Sequence, residues 1–141
     1  MVLGVSAFSL QSVFAMYDLH YDQSSLDLIQ AFSAAKKPVS TVCHGPTVFL
    51  KSSPKSGLPL LSNVVTVSNI EEDQAGMTSI MPYMLEDELN RVIGGGYVKV
   101  DQPWGEKVVV SKTGDGASLI TGQKPPSAAG VRRVVLKSLE V

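Results

Sequence analysis

Val39-Ser40-Thr41-Val42-Cys43-His44-Gly45-Pro46 is the stretch on which the fold turns. Its first four residues are β-branched or small and carry no charge, the pattern of a short buried strand. Gly45-Pro46 then starts a helix, with proline in the first turn, where its missing N–H leaves nothing unpaired. The chain's single cysteine falls at this strand-to-helix turn. A side chain there projects above the C-terminal edge of the sheet, where open α/β folds place their ligands. The unpaired N–H groups of the following helix favour a thiolate, and Gly45 allows the tight turn of a nucleophile elbow. Free cysteine is also among the most buried residue types and usually acts as a small hydrophobe, so position alone leaves both roles open. His44 is equally open, because adjacent strand residues face opposite ways and only a sharp turn could bring it to the sulfur.

On the N-terminal side, Ser24 or Ser25 can cap a helix running to about Lys37, with Leu26, Ile29 and Phe32 on one face. Lys36 and Lys37 suit its negative end, and Pro38 cannot continue it. On the C-terminal side, Val64 to Val67 reads as a second strand, and Met81, Met84, Leu85 and Leu89 stand at helical spacing before Gly94-Gly95-Gly96. Tyr97 to Val100 and Val108 to Val110 read as further strands. Lys112 to Gly116 is a hairpin turn into Leu119-Ile120. Pro125-Pro126 opens a closing helix with Val131, Val134, Val135 and Leu139 on one side. This alternation predicts an α/β domain with a largely parallel sheet. His20, between Asp18 and Asp22, reads as solvated. Glu71-Glu72-Asp73 reads as a solvated loop, or as a short helix capped by Asn69 with Glu72 completing a capping box.

The chain has 141 residues, 44% of them hydrophobic and 18% charged, which suits a single globular domain and argues against disorder. Twelve basic and 13 acidic residues give a net charge of −1, with no electrostatic footprint for nucleic acid or an anionic membrane. One cysteine excludes an internal disulfide and a paired-cysteine zinc site. The expectation is a soluble, cytoplasmic protein without metal or cofactor. Residues 1–16 carry no charged side chain. They are too few to span a bilayer as a helix and lack the basic start of a secretory signal. Residues 1–14 therefore read as an atypical apolar leader, with Met1 to Val5 as a possible replacement strand, and residues 15–141 as one domain.

Taken together, the blocks Val42-Cys43-His44-Gly45-Pro46, Ser68-Asn69-Ile70-Glu71-Glu72, Pro82-Tyr83-Met84-Leu85-Glu86-Asp87-Glu88-Leu89 and Leu119-Ile120-Thr121-Gly122-Gln123 resemble the ThiJ/PfpI superfamily (glutamine amidotransferase-like). The likeness is to its branch of glutathione-independent glyoxalases (glyoxalase III) and heat-shock chaperones. It extends over Met16-Tyr17-Asp18-Leu19, Trp104 and Pro126-Ser127-Ala128. The resemblance implies a flavodoxin-like three-layer α/β sandwich with a mostly parallel sheet, assembled as a homodimer. It implies conversion of methylglyoxal, a small aldehyde, to D-lactate without metal or glutathione. Cys43 would be the nucleophile, His44 the neighbouring acid/base and Glu72 the carboxylate that orients it, with Glu71 the weaker match.

Family members carry a further βα-containing portion ahead of the Met-Tyr-Asp-Leu block, so the sandwich is expected to lack the family's first strands. That portion supplies a glutamate beside the cysteine, whereas no glutamate here precedes Glu71. Gln11-Ser12-Val13-Phe14 stands where the family has a Gly-Gly-His-Gly turn. Two other readings follow from the resemblance: a stress-related chaperone or protein deglycase, and an inactive truncated family member.

Overall fold

Leu119 and Ile120 are neighbours in one strand, both fully buried, yet they belong to separate apolar clusters. Successive strand residues face opposite ways, so this strand carries a core on each side. The computed structural model describes residues 13–51, 62–94 and 96–139. Met1 to Val5 and most of the leader 1–14 lie outside the described residues.

Among the described residues the sheet has three strands, β1 (Val39–Val42), β2 (Val108–Lys112) and β3 (Ser118–Gly122), in the order β1-β3-β2. β1 runs parallel to β3, with Val39 opposite Leu119 and Val42 opposite Gly122. β2 runs antiparallel to β3 across the expected turn, where Gly116 takes φ +86° and its N–H bonds the Thr113 carbonyl at 2.8 Å. A parallel bridge joins Val64 to Tyr97.

Among the described residues four α-helices accompany the sheet: α1 (Gln23–Ala34), α2 (Asn69–Gln74), α3 (Leu85–Ile93) and α4 (Ala128–Leu139). α4 presents Val131 and Val135 to Val42 and Ile120 on one face. On the other, Ile29 of α1, Leu85 and Leu89 of α3, and Val48 and Phe49 of the 3₁₀-helix Gly45–Lys51 share a cluster with Val39 and Leu119. Two helical layers thus sandwich the sheet, as in the flavodoxin-like fold.

Several sequence expectations are displaced by local hydrogen bonding. Asp22, rather than Ser24 or Ser25, caps α1, accepting from the Ser25 N–H at 2.9 Å and its hydroxyl at 2.6 Å. α1 ends at Ala34, before Lys37, because Lys36 adopts φ +60°. Met81 is extended and lies ahead of α3, as the residue before a proline prefers. Val64 to Val67 is buried but forms no regular strand beyond the Val64 bridge, and the Val65 N–H goes to the Thr121 hydroxyl at 3.1 Å. Tyr97 to Val100 is likewise reduced to its bridge, and the Val100 N–H goes to the Gln123 side chain at 3.2 Å. The helix begun at Gly45-Pro46 is 3₁₀. His20 is buried at 5% exposure, not solvated, with its ring 3.8 Å from that of Tyr21 and edge-on to Tyr83. Burial and the Lys51 charge lower its pKa against the opposing pull of Asp18.

Gly122, at the end of β3, lets α4 sit directly on the sheet. A Cβ there would lie 2.8 Å from the Val131 Cγ2 and 3.0 Å from the Ser127 Cβ. Gly122→Ala is expected to destabilise by about 1–3 kcal/mol through overpacking. Urea unfolding of the two proteins measures this, and an unchanged midpoint would show that the α4 layer yields freely.

Candidate active site

Cys43 takes φ +60°, a left-handed conformation uncommon outside glycine. Two bonds hold it there. Its N–H continues the β1–β3 ladder to the Gly122 carbonyl at 3.0 Å, and its own carbonyl accepts from the Thr66 hydroxyl at 2.5 Å. This left-handed residue supplies the sharp turn that strand geometry alone could not promise. His44 folds back so that its Nδ1 lies 3.2 Å from the Cys43 Sγ.

The opposite edge of the ring meets α2. His44 Nε2 is 2.5 Å from the Glu72 Oε1. Which glutamate arrives there depends on helix register. Ser68 is the N-cap, and Glu71, not Glu72, completes the capping box, with its Oε2 accepting the Ser68 N–H at 2.8 Å. Asn69 is already inside the helix, its N–H bonded to the Glu86 carboxylate at 2.7 Å. At 3.6 residues per turn the next side chain points about 100° away, which frees Glu72 for the histidine. Neither glutamate is solvated; both are buried, and only Asp73 of the run is exposed.

Burial opposes charge on His44, yet the hydrogen bonds and negative charge of Cys43 and Glu72 outweigh it and raise the pKa to about 9. At neutral pH the ring is therefore an imidazolium, donating from both nitrogens. Glu71 shifts the other way. Burial favours its neutral form, but donors from Lys124, Ser68, Trp104 and Gln123 hold its pKa down to about 2.

Cys43, His44 and Glu72 are each less than a tenth exposed. An apolar cavity between α1 and β1, lined by Leu28, Ile29, Phe32, Val39 and Val48, reaches Gly45 but none of these three. Among the described residues no group of three or more His, Cys, Asp or Glu side chains could hold a metal ion. No described helix is long and apolar enough to cross a membrane.

No family model matches the chain. A curated relative does: over 108 residues, 72% of this chain and 44% of the relative, it is 32% identical to Glyoxalase 3 of Candida albicans. Among solved structures, glyoxalase III from Candida albicans superposes with a TM-score of 0.75 at 25% identity, covering 89% of this chain and 53% of the other. The chain is similar to the glyoxalase III branch of the ThiJ/PfpI superfamily over most of its own length. Its flavodoxin-like fold is shared more widely. The Rapid Encystment Protein 24 KDa of Francisella tularensis gives a TM-score of 0.76 at 23% identity, over 92% of this chain and 55% of that one. The chain thus spans about half the length of the relatives it matches.

Around the Cys43–His44–Glu72 cluster, sequence reasoning missed Thr66 and Lys124. Thr66 lies in a run of valines and resembles any strand threonine. Lys124 precedes Pro125-Pro126, where a lysine ordinarily faces water, yet its side chain is 3% exposed and its Nζ lies 2.5 Å from the Glu71 Oε1. Nothing in the sequence distinguishes it from the other lysines.

Proposed function

We propose that this chain is a glutathione-independent glyoxalase that converts methylglyoxal and water to D-lactate through a hemithioacetal on Cys43. The observation that carries the reading is the unbroken line from the Glu72 carboxylate through both His44 nitrogens to the Cys43 sulfur. Glu72 holds the ring and its charge in place, and the ring presents Nδ1 to the reacting sulfur.

The Cys43 thiolate adds to the aldehyde carbon of methylglyoxal, and the new alkoxide takes the Nδ1 proton from His44. The neutral ring then takes the C1 proton, leaving an enediolate, and returns that proton to C2 while the O1 hydroxyl proton passes to O2. The product is a lactoyl thioester of Cys43. Water hydrolyses it, releasing D-lactate and the Cys43 thiolate, with one proton returned to His44 and one passing to solvent. The sulfur's small exposed area favours a small electrophile over a bulky one. The same reading takes the protein to be a cytoplasmic homodimer.

D-lactate formation from methylglyoxal without glutathione, measured side by side for the wild-type chain and Cys43→Ala, tests this. Product from the wild type and none above buffer from Cys43→Ala is expected. Equal rates from both, or no product from folded wild type, would sink the proposal.

A further inference from the structure

The Glu71 carboxylate has no exposed surface and is surrounded by donors. Oε2 accepts the Ser68 N–H at 2.8 Å and the Ser68 hydroxyl at 2.9 Å. Oε1 accepts the Trp104 N–H at 2.8 Å and the Lys124 ammonium at 2.5 Å, and the Gln123 amide reaches both oxygens at 3.0–3.1 Å. Lys124 also sits 5.0 Å over the Trp104 ring.

The placement of this cluster matters more than its strength. Gly122-Gln123-Lys124 is a continuous run at the end of β3. Its first residue fixes the Cys43 N–H through its carbonyl, and its last grips the first turn of α2 through Glu71. The residue after Glu71 is Glu72, which meets His44. One three-residue run therefore sets the position of both ends of the Cys43–His44–Glu72 line. A fold needs no buried lysine and carboxylate here, since a well-packed apolar pair of similar volume is often as stable or more so.

We infer that Glu71 and Lys124 are positioning residues, a buried ion pair that locks α2 to the end of β3 and so fixes the Glu72–His44 contact. The inference rests on the proposed chemistry for its meaning, but its test uses no aldehyde. The groups facing His44 are Cys43 and Glu72, and both are retained in every variant.

The decisive variant is Glu71→Gln/Lys124→Met, which removes both charges together and leaves no lone buried ion. Two readouts are compared with wild type: the His44 ring titration by NMR, and the pH profile of Cys43 alkylation by iodoacetamide. With α2 unlocked, the His44 midpoint is expected to fall by at least about one pH unit, which corresponds to a tenfold change in the protonation equilibrium. The alkylation profile should move with it. A folded double variant with wild-type titration and alkylation would overturn the inference. Lys124→Gln, which keeps an N–H donor toward Glu71 without the charge, is read in the same way if the double variant does not fold. Should neither fold, the pair is a stability element and the positioning role is refuted. If the wild type makes no D-lactate while the double variant still shows these shifts against it, the glyoxalase reading fails and this one stands.

Discussion

Glu72→Gln is expected to reduce D-lactate formation by at least about 100-fold, the lower end of what a positioned acid or base contributes. The substitution keeps the shape of the side chain and an oxygen able to accept from His44 Nε2, so it isolates the charge. Without that charge, burial is opposed by Cys43 alone, and the His44 pKa should drop from about 9 toward its ordinary 6.5. Two consequences follow for pH. The proton that His44 donates to the new alkoxide is lost as pH rises through about 9 in the wild type, so the alkaline limb of the rate profile lies there. In the variant that limb moves toward neutrality. Stability follows the same sign. A raised histidine pKa stabilises the fold fully below about pH 6.5, and the contribution disappears as pH climbs through about 9. The variant should therefore lose stability at neutral pH and show a flatter profile on the alkaline side. An NMR titration of the two histidine rings, with His20 as internal control, decides the matter. A His44 midpoint unmoved by Glu72→Gln would mean that the short contact carries little charge coupling.

Phe49→Ala carries the largest expected effect on stability, about 3–5 kcal/mol for removal of a fully buried aromatic ring. Phe49 is 1% exposed and shares its cluster with Met16, Val48, Leu85 and Leu89. That amount is a large fraction of the roughly 5–15 kcal/mol that holds a domain of this kind together. The substitution also acts near the site, because Phe49 belongs to the 3₁₀-helix that follows His44 directly. Urea unfolding should show a markedly lower midpoint with an unchanged slope. A loss below about 1 kcal/mol would mean that neighbouring side chains collapse into the space.

What the sequence revealed and what it hid divide along a physical line. β1, the hairpin and the closing helix were legible because buried valines, a Gly-Asp-Gly turn and apolar residues at helical spacing are local signals. Val64 to Val67 and Tyr97 to Val100 have the same strand-like composition, but their backbone partners are side chains such as Thr121 and Gln123. No local pattern reports a partner some 20–60 residues away, as these are. The site shows the same division. Cys43 and His44 stand out as a cysteine and a histidine at a turn, whereas Glu72 depends on a capping register that Asn69 and Ser68 contest as equals in sequence. Lys124 and Thr66 had no local mark at all.

The left-handed backbone of Cys43 has an evolutionary consequence. Outside glycine that conformation is disfavoured by roughly 1–2 kcal/mol, and glycine at position 43 would adopt it freely. Drift constrained only by folding would therefore tend to replace this whole side chain with a hydrogen atom. A lineage that keeps cysteine here, in a conformation which penalises every side chain, is being held by something other than its fold.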